Sequence, residues 1–429
     1  MPKYFGTDGI RGKSPEWLDI NKAYRIGYAI GKEFSPEKVY IGRDTRASGF
    51  KLNQGLNQGL IDSGVNPINL GVVSTPMTQY LSLKNNCMGI MITASHNPAT
   101  DNGIKVLFSG KKSTESQENL IESYLNDENL EASHFSNFTS DERPLVEYLE
   151  AIKALGFPKT DIKVHLDTAH GSLSKWAKLI LGDYLEVLNV VGNSPDGQNI
   201  NENVGSTSVN VFKKSLPKGV IGLTFDGDGD RLLAVDEHGE LVSGDQIISI
   251  VAAQNFDIDK VALTQMVNPG IKRYLNNHGL SVLETGVGDK YIIQAMDDHD
   301  IFIGGEDSGH MIFKEYWPIG DGIISALALI KIMHDTRKSL HELKKPISKY
   351  PEKLINIKGI KKEDFLSNSE LSEKVNHLNE KLDENAKLLI RPSGTEPVIR
   401  VYASHKESDK LQQLISECLN LFESYGGYV

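Results

Sequence analysis

The chain has 429 residues, room for about three domains at ~150 residues each, and 39% of it is hydrophobic, enough for several packed cores. Its formal net charge of −11 argues against a general nucleic-acid binder or a coat for anionic membranes, both of which need a basic surplus. Two distant cysteines, Cys87 and Cys418, make no ligand cluster or disulfide framework and point to a reducing, cytoplasmic compartment. Residues 1–8 lack the apolar core of a signal peptide. The most apolar helical stretch, 323–330, is closed by Lys331 and is too short to span a bilayer.

Short apolar runs alternate with amphipathic ones, the pattern of an α/β protein. Residues 39–42 read as a strand and 51–63 as a helix ended by Gly64. A strand at 88–93 runs directly into Ala94-Ser95-His96-Asn97-Pro98. The Ser- and Asn-rich segment 109–143 reads as an irregular surface excursion. A second unit opens with a strand at 162–166, and its strand 220–225 feeds Asp226-Gly227-Asp228-Gly229-Asp230-Arg231 before another strand at 231–235. A third unit starts near Ile247 with an apolar helix, and its strand 301–303 feeds Gly304-Gly305-Glu306-Asp307-Ser308-Gly309-His310. Three times a short apolar strand ends in a polar, Gly- or Ser-rich loop, where open α/β sheets place their ligands. Composition changes at 346–351, a hinge to a smaller last domain. There the run 388–390 precedes Arg391-Pro392-Ser393-Gly394-Thr395-Glu396-Pro397, and a final helix aligns Leu411, Leu414, Ile415, Cys418, Leu419 and Phe422 on one face.

Asp226, Asp228 and Asp230, with glycine between them, repel one another and suit neither a strand nor a helix. A hard divalent cation relieves that repulsion, and the glycines let the loop turn its oxygens inward. An EF-hand loop fails here, because its sixth position is Arg231 instead of glycine and its flanks read as strands. Magnesium fits better, since three carboxylates leave coordination positions for phosphate oxygen or water. Ser95 and His96 are sequence neighbours in a turn, a poor geometry for a nucleophile–base pair. The set Glu306, Ser308 and His310 offers partners for sugar hydroxyls and an imidazole suited to proton transfer. Arg391, Ser393, Gly394 and Thr395 combine a guanidinium, hydroxyls and glycine-enabled N–H groups, a cradle for a phosphate dianion, to which Arg400 adds charge. Neither a Walker loop nor a Gly-x-Gly-x-x-Gly fingerprint occurs.

Taken in order, Phe5-Gly6-Thr7-Asp8-Gly9-Ile10-Arg11-Gly12, residues 93–98, 226–231, 304–310 and 391–397 resemble the α-D-phosphohexomutase superfamily over essentially the whole chain. The stretches 196–201 (Asp-Gly-Gln-Asn-Ile-Asn) and 287–291 (Val-Gly-Asp-Lys-Tyr) are most similar to members acting on glucosamine phosphate. The resemblance implies an α/β fold of four domains around a central cleft. Three would be related mixed-sheet units, at 1–154 with the phosphoserine loop, 155–252 with the metal loop and 253–350 with the sugar loop. A smaller α+β phosphate-binding domain would occupy 351–429. It implies interconversion of glucosamine 6-phosphate and glucosamine 1-phosphate through a phosphoserine and a bisphosphorylated hexose, on the route to UDP-N-acetylglucosamine and the cell envelope.

By the same resemblance Ser95 is the phosphorylated residue and, with Asp226, Asp228 and Asp230, holds one magnesium ion. Arg231, Glu306, Ser308, Arg391, Ser393, Gly394, Thr395 and Arg400 bind substrate. His96, Lys105, Arg11 and His310 complete the catalytic set, Lys105 as a base only if neighbouring cations depress its pKa. Asp307 departs from the Gln usual in that branch, which leaves members acting on mannose or glucose phosphates as the alternative. A non-catalytic sugar-phosphate binder is the other alternative, and the intact Ser95 and Asp triad argue against it. The expected partners are a small sugar phosphate and at most a second copy of the chain (monomer or homodimer), with neither nucleic acid nor membrane.

Overall fold

A computed structural model describes residues 2–255, 257–393 and 397–429. Four sheets follow one another along the chain. In the first, the strands Val39–Arg43, Pro67–Val72 and Met88–Ile92 run parallel, and Asp101–Phe108 and Gly9–Lys13 extend them antiparallel. The second centres on Lys163–Asp167 and Ile221–Phe225, parallel to each other, with Leu232–Val235 returning antiparallel. In the third, Lys260–Thr264 and Ile303–Gly305 are parallel and Met311–Phe313 returns antiparallel. The last is purely antiparallel, with Ile399–His405 between Glu352–Ile357 and Ala386–Pro392. The architecture is thus three mixed α/β sheets and a small antiparallel sheet, one more unit than chain length alone suggests.

The three mixed sheets share one device. A buried parallel strand ends in a polar loop, and the chain turns back as an antiparallel neighbour. Residues 93–100, 226–231 and 306–310 are those loops. Buried strands such as Met88–Ile92 and Ile221–Phe225 are apolar at nearly every position because helices cover both faces. One apolar cluster runs without a break from Tyr40, Leu70 and Met77 of the first unit through Leu223 and Phe225 to Ile323 and Leu327 of the third. The last domain keeps its own cluster around Ile357, Val401 and Phe422, and the expected stripe of the final helix is part of it. Among the described residues no helix is long and apolar enough to cross a membrane.

Segment 109–143 is more ordered than its composition predicts. Glu115–Leu125 forms a helix because Thr114 and Gln117 close a capping box and Ile121 and Leu125 enter the first core.

Asp321 ties units together. It caps the helix Gly322–Thr336 by accepting from the N–H groups of Ile323 and Ile324 at 2.8 and 3.2 Å, and Tyr148 Oη donates to it at 2.8 Å. Burial pushes its pKa up to about 6. A native value above the unfolded one means that the native state binds the proton more tightly, so this group adds stability as pH falls from 7 through 6. Asp321→Asn should flatten the stability–pH curve there by up to about 3 kcal/mol, the equivalent of two pK units, measurable by denaturant titration between about pH 4 and 7.

Candidate active site

The three loops converge. An isolated backbone bridge pairs Arg231 of the second loop with His310 of the third, and the first loop meets the second through Ser95. Its Oγ donates to Asp226 Oδ2 at 2.6 Å, and His96 Nδ1 lies 3.3 Å away. The turn therefore does bring Ser95 and His96 together, against the sequence argument. It does so because Ser95 is held in the left-handed region, with φ +51°, which swings its side chain off the strand axis. Such a backbone is costly for a non-glycine residue and persists only where the surroundings impose it.

The second loop is built for close approach. Gly229 has φ +74°, and a Cβ on Gly227 would stand 2.6 Å from the Ser95 carbonyl oxygen, so no larger residue fits between the two loops. Asp226, Asp228 and Asp230 are almost fully buried. Asp226 Oδ1 accepts from the N–H groups of Gly229 and Arg231, and Asp228 Oδ2 accepts from Thr75 Oγ1 at 2.6 Å and from Lys105 Nζ at 2.8 Å.

The electrostatics follow from this crowding. Burial, with Asp228 and Asp230 adding to it, holds the Asp226 carboxyl well above the usual range. Asp230 is held low despite its burial because Lys105, His310 and Arg231 surround it. The expectation that cations depress Lys105 does not hold: burial lowers its pKa, but Asp228, Asp8 and Asp230 outweigh burial and raise it well above normal. His310 is raised to about 9, burial being overcome by Asp230 and Asp289. His96 goes the other way, to about 4, through burial and the nearby Arg231 and Arg11.

A closed ring of alternating charge joins the three units. Asp8 pairs with Lys105 at 3.0 Å, Lys105 with Asp230 at 3.4 Å, and Asp230 with His310 at 3.7 Å. His310 faces Asp289 at 3.9 Å, Asp289 pairs with Lys112 at 2.6 Å, and Lys112 returns to Asp8 at 2.5 Å. Arg11 also pairs with Asp8.

The third loop is a tight turn in which Glu306 N–H donates to the His310 carbonyl. Ser308 Oγ is buried and has no hydrogen-bond partner among the described residues. Asp307 is engaged by Lys349 Nζ at 3.0 Å, and Lys349 also pairs with Glu352 at 3.0 Å, so one lysine serves both carboxylates. On the last sheet Arg391 and Arg400 face each other in register. Burial and that like charge lower the pKa of Arg391, an arrangement that an anion relieves. Ser393, also buried, donates its N–H to Val398 O at 2.9 Å. Gly394 and Thr395 lie outside the described residues. Asn268 joins this domain to the third unit through Tyr350 O and Glu352, at 2.9 and 2.7 Å.

The triad meets the requirements of a hard cation. One oxygen from each of Asp226, Asp228 and Asp230 lies within 4.8 Å of the others, and Asp228 Oδ1 and Asp230 Oδ1 are buried without a hydrogen-bond partner among the described residues. An all-oxygen donor set with room for further oxygens suits magnesium. A second cluster, Asp236, Glu240 and His341, is already neutralised by Lys344.

Sequence reasoning did not select Thr75, Lys112 or Asp289. Ser74-Thr75-Pro76 reads only as a helix start, which it is, and Lys112 sits in the stretch taken for a surface excursion. Asp289 lies inside 287–291, a stretch that carries the family resemblance without marking a role for this carboxylate.

The fold and this site define a class. Residues 2–132 match the phosphoglucomutase/phosphomannomutase α/β/α domain I, 243–350 match domain III, and 350–421 match the C-terminal domain. The chain belongs to this family, within the α-D-phosphohexomutase superfamily. It is 38% identical to the phosphoglucosamine mutase of Fusobacterium nucleatum over 99% of both chains, and 39% identical to that of Anoxybacillus flavithermus over 97% of both. In structure it is similar to a phosphoglucomutase/phosphomannomutase family protein of Burkholderia thailandensis, with TM-score 0.79, 21% identity and 99% and 98% of the two chains covered. It is also similar to the N-acetylphosphoglucosamine mutase of Aspergillus fumigatus in complex with GlcNAc-6P and magnesium, with TM-score 0.73, 16% identity and 98% and 96% covered.

Magnesium added at about ten times its dissociation constant should raise the melting temperature, by the equivalent of about 1.4 kcal/mol. Asp228→Asn should remove most of that shift in a thermal-denaturation series.

Proposed function

We propose that the chain is a phosphoglucosamine mutase, interconverting glucosamine 6-phosphate and glucosamine 1-phosphate through a phosphorylated Ser95 and a bisphosphorylated sugar. The observation that carries this reading is the Ser95 hydroxyl, 2.6 Å from Asp226 at a buried carboxylate triad, in a chain similar along its full length to enzymes of that name. The buried triad and its two orphaned oxygens fit magnesium, held by Asp226, Asp228, Asp230 and the Ser95 phosphate. When bound, the ion neutralises phosphoserine charge and polarises the transferring group.

Direct migration of phosphate between the two ends of a hexose is geometrically out of reach. Ser95 therefore gives its phosphate to the free hydroxyl and recovers the other phosphate after the bisphosphate has turned over in the cleft. In the first half, the bond from phosphorus to Ser95 Oγ breaks as the sugar oxygen forms its bond to phosphorus. The sugar hydroxyl proton leaves on the side of phosphorus opposite Ser95, and one proton is returned to Ser95 Oγ, beside which His96 Nδ1 stands at 3.3 Å. Arg11, Lys105, Arg231 and His310 supply positive charge around the group in flight, where positioning and electrostatics dominate the rate. Glu306 and Ser308 read the sugar hydroxyls. Arg391, Arg400 and the loop 393–395 hold whichever phosphate is not reacting, and the last domain closes on the substrate about the hinge near Lys349. The free sugar phosphates are small soluble anions, and we place the reaction in the cytoplasm.

An assay with glucosamine 6-phosphate, magnesium and a hexose bisphosphate primer tests the reading. Turnover should be detectable and intact mass should place a phosphate on Ser95, while Ser95→Ala should abolish both. Specificity constants favouring mannose or glucose phosphate would reassign the substrate within the family. Arg391→Ala should raise KM for the sugar phosphate about 10- to 100-fold, the worth of a charge-assisted hydrogen bond, measured in the same assay.

A further inference from the structure

The stretch 196–201 belongs to the second unit, yet it reaches the nucleophile loop of the first. Asn201 Nδ2 donates to the carbonyl oxygens of Ser95 and Asn97, at 2.9 and 3.0 Å. The same two oxygens accept from Arg46 Nη2, at 3.0 and 2.8 Å. Arg46 is fully buried. Its Nη1 donates to the carbonyls of Pro98 and Asp101, and its Nε to Asp44 Oδ2 at 2.9 Å. Asp44 also accepts from Thr93 Oγ1, which itself accepts from Ser95 N–H. Each of the two carbonyls that flank His96 is therefore gripped from both sides, by a guanidinium of its own unit and a carboxamide of the next.

Asn201 is itself locked. It has φ +62°, a region asparagine tolerates better than most residues, and its N–H donates to Ala169 O at 2.9 Å. Gly197 O accepts from Ala47 N–H at 2.9 Å, so the strap is fastened to the Arg46 loop as well. Ser95 must offer its oxygen to phosphate from two orientations of one sugar, and a displacement of about 1 Å in such an alignment costs about 100-fold in rate. A serine in a left-handed conformation does not hold that position by its own preference.

Building on the phosphoserine reading of the site, we propose that Asn201 and Arg46 are positioning residues that clamp the Ser95 and Asn97 carbonyls from two units and so align the Ser95 phosphate with the carboxylate triad. Neither touches substrate in this scheme. Their effect falls on the transfer step instead of on sugar binding.

Asn201→Ala and the isosteric Asn201→Asp test this. The Asp variant replaces two donors by an acceptor facing two carbonyl oxygens, so it should be the more damaging. Turnover per phosphoserine-bearing molecule, counted by intact mass, should fall about 10- to 100-fold, with KM for glucosamine 6-phosphate within about twofold of wild type. Hydrogen exchange in a peptide spanning 93–99 should rise, a readout that does not depend on activity. Unchanged turnover per phosphorylated molecule together with unchanged exchange would overturn the proposal, as would an effect confined to KM. Arg46→Lys keeps the charge but cannot span the carbonyls its guanidinium reaches, and it should reproduce the same split should an Asn201 variant fail to fold. A wild-type protein that turns over no hexose phosphate would instead overturn the reading of the site, and only the exchange result would then bear on the clamp.

Discussion

Three carboxylates buried beside one hydroxyl are the constraint around which the first three units are organised. Taking even one ionised group out of water is expensive unless opposite charge and hydrogen bonds surround it. Asp226, Asp228 and Asp230 share one loop, so relief has to come from elsewhere in the chain. Thr75 and Lys105 arrive from the first unit, Arg231 from the loop itself and His310 from the third unit. Lys105 in turn needs Asp8, and Asp8 draws in Lys112 and Asp289. The resulting ring of charge cannot be assembled by any unit alone. The apolar cluster that runs through the same units holds the backbone in the register that the ring requires.

The net charge of the chain takes on a different meaning in this light. Part of the acidic surplus is withdrawn into the triad, where it forms a candidate site for a divalent cation. On the last sheet two cations, Arg391 and Arg400, oppose each other in register. Like charges opposite each other on a strand pair favour a bound anion, the role proposed above for the substrate phosphate. The hinge is also part of the site. Lys349 spans the carboxylates of Asp307 in the third loop and Glu352 at the start of the last sheet, which links that loop to the last domain.

Much of this was legible in the order of residues. Strand-then-loop punctuation located all three converging loops, because a buried parallel strand is apolar throughout and its end is marked by Gly, Ser and Asp. The Asp-Gly spacing pointed to a cation without any structure, since only a cation makes that pattern tolerable. The helix Glu115–Leu125 escaped because two buried side chains and a capping box are a faint signal in polar surroundings. Thr75, Lys112, Asp289, Arg46 and Asn201 escaped for a different reason. Each acts on a group roughly 50 to 180 residues away, and even where it lies in a marked stretch, as Asp289 and Asn201 do, nothing local says what it touches.

The chemistry on offer was therefore determined by the sequence itself: a hydroxyl in a tight turn, a carboxylate triad and two further polar loops, each a local pattern with a local physical cause. Only the tertiary structure decided the state of those groups. Lys105 is held protonated because the fold sets it among Asp8, Asp228 and Asp230, where the surplus of cations expected from the motifs would have made it a base. His96 meets Ser95 because Arg46 of the same unit and Asn201 of the next hold the turn in a conformation it would not choose alone. Charge and conformation at a buried site depend on every group within a few ångströms, and those neighbours are set by folding, not by order along the chain.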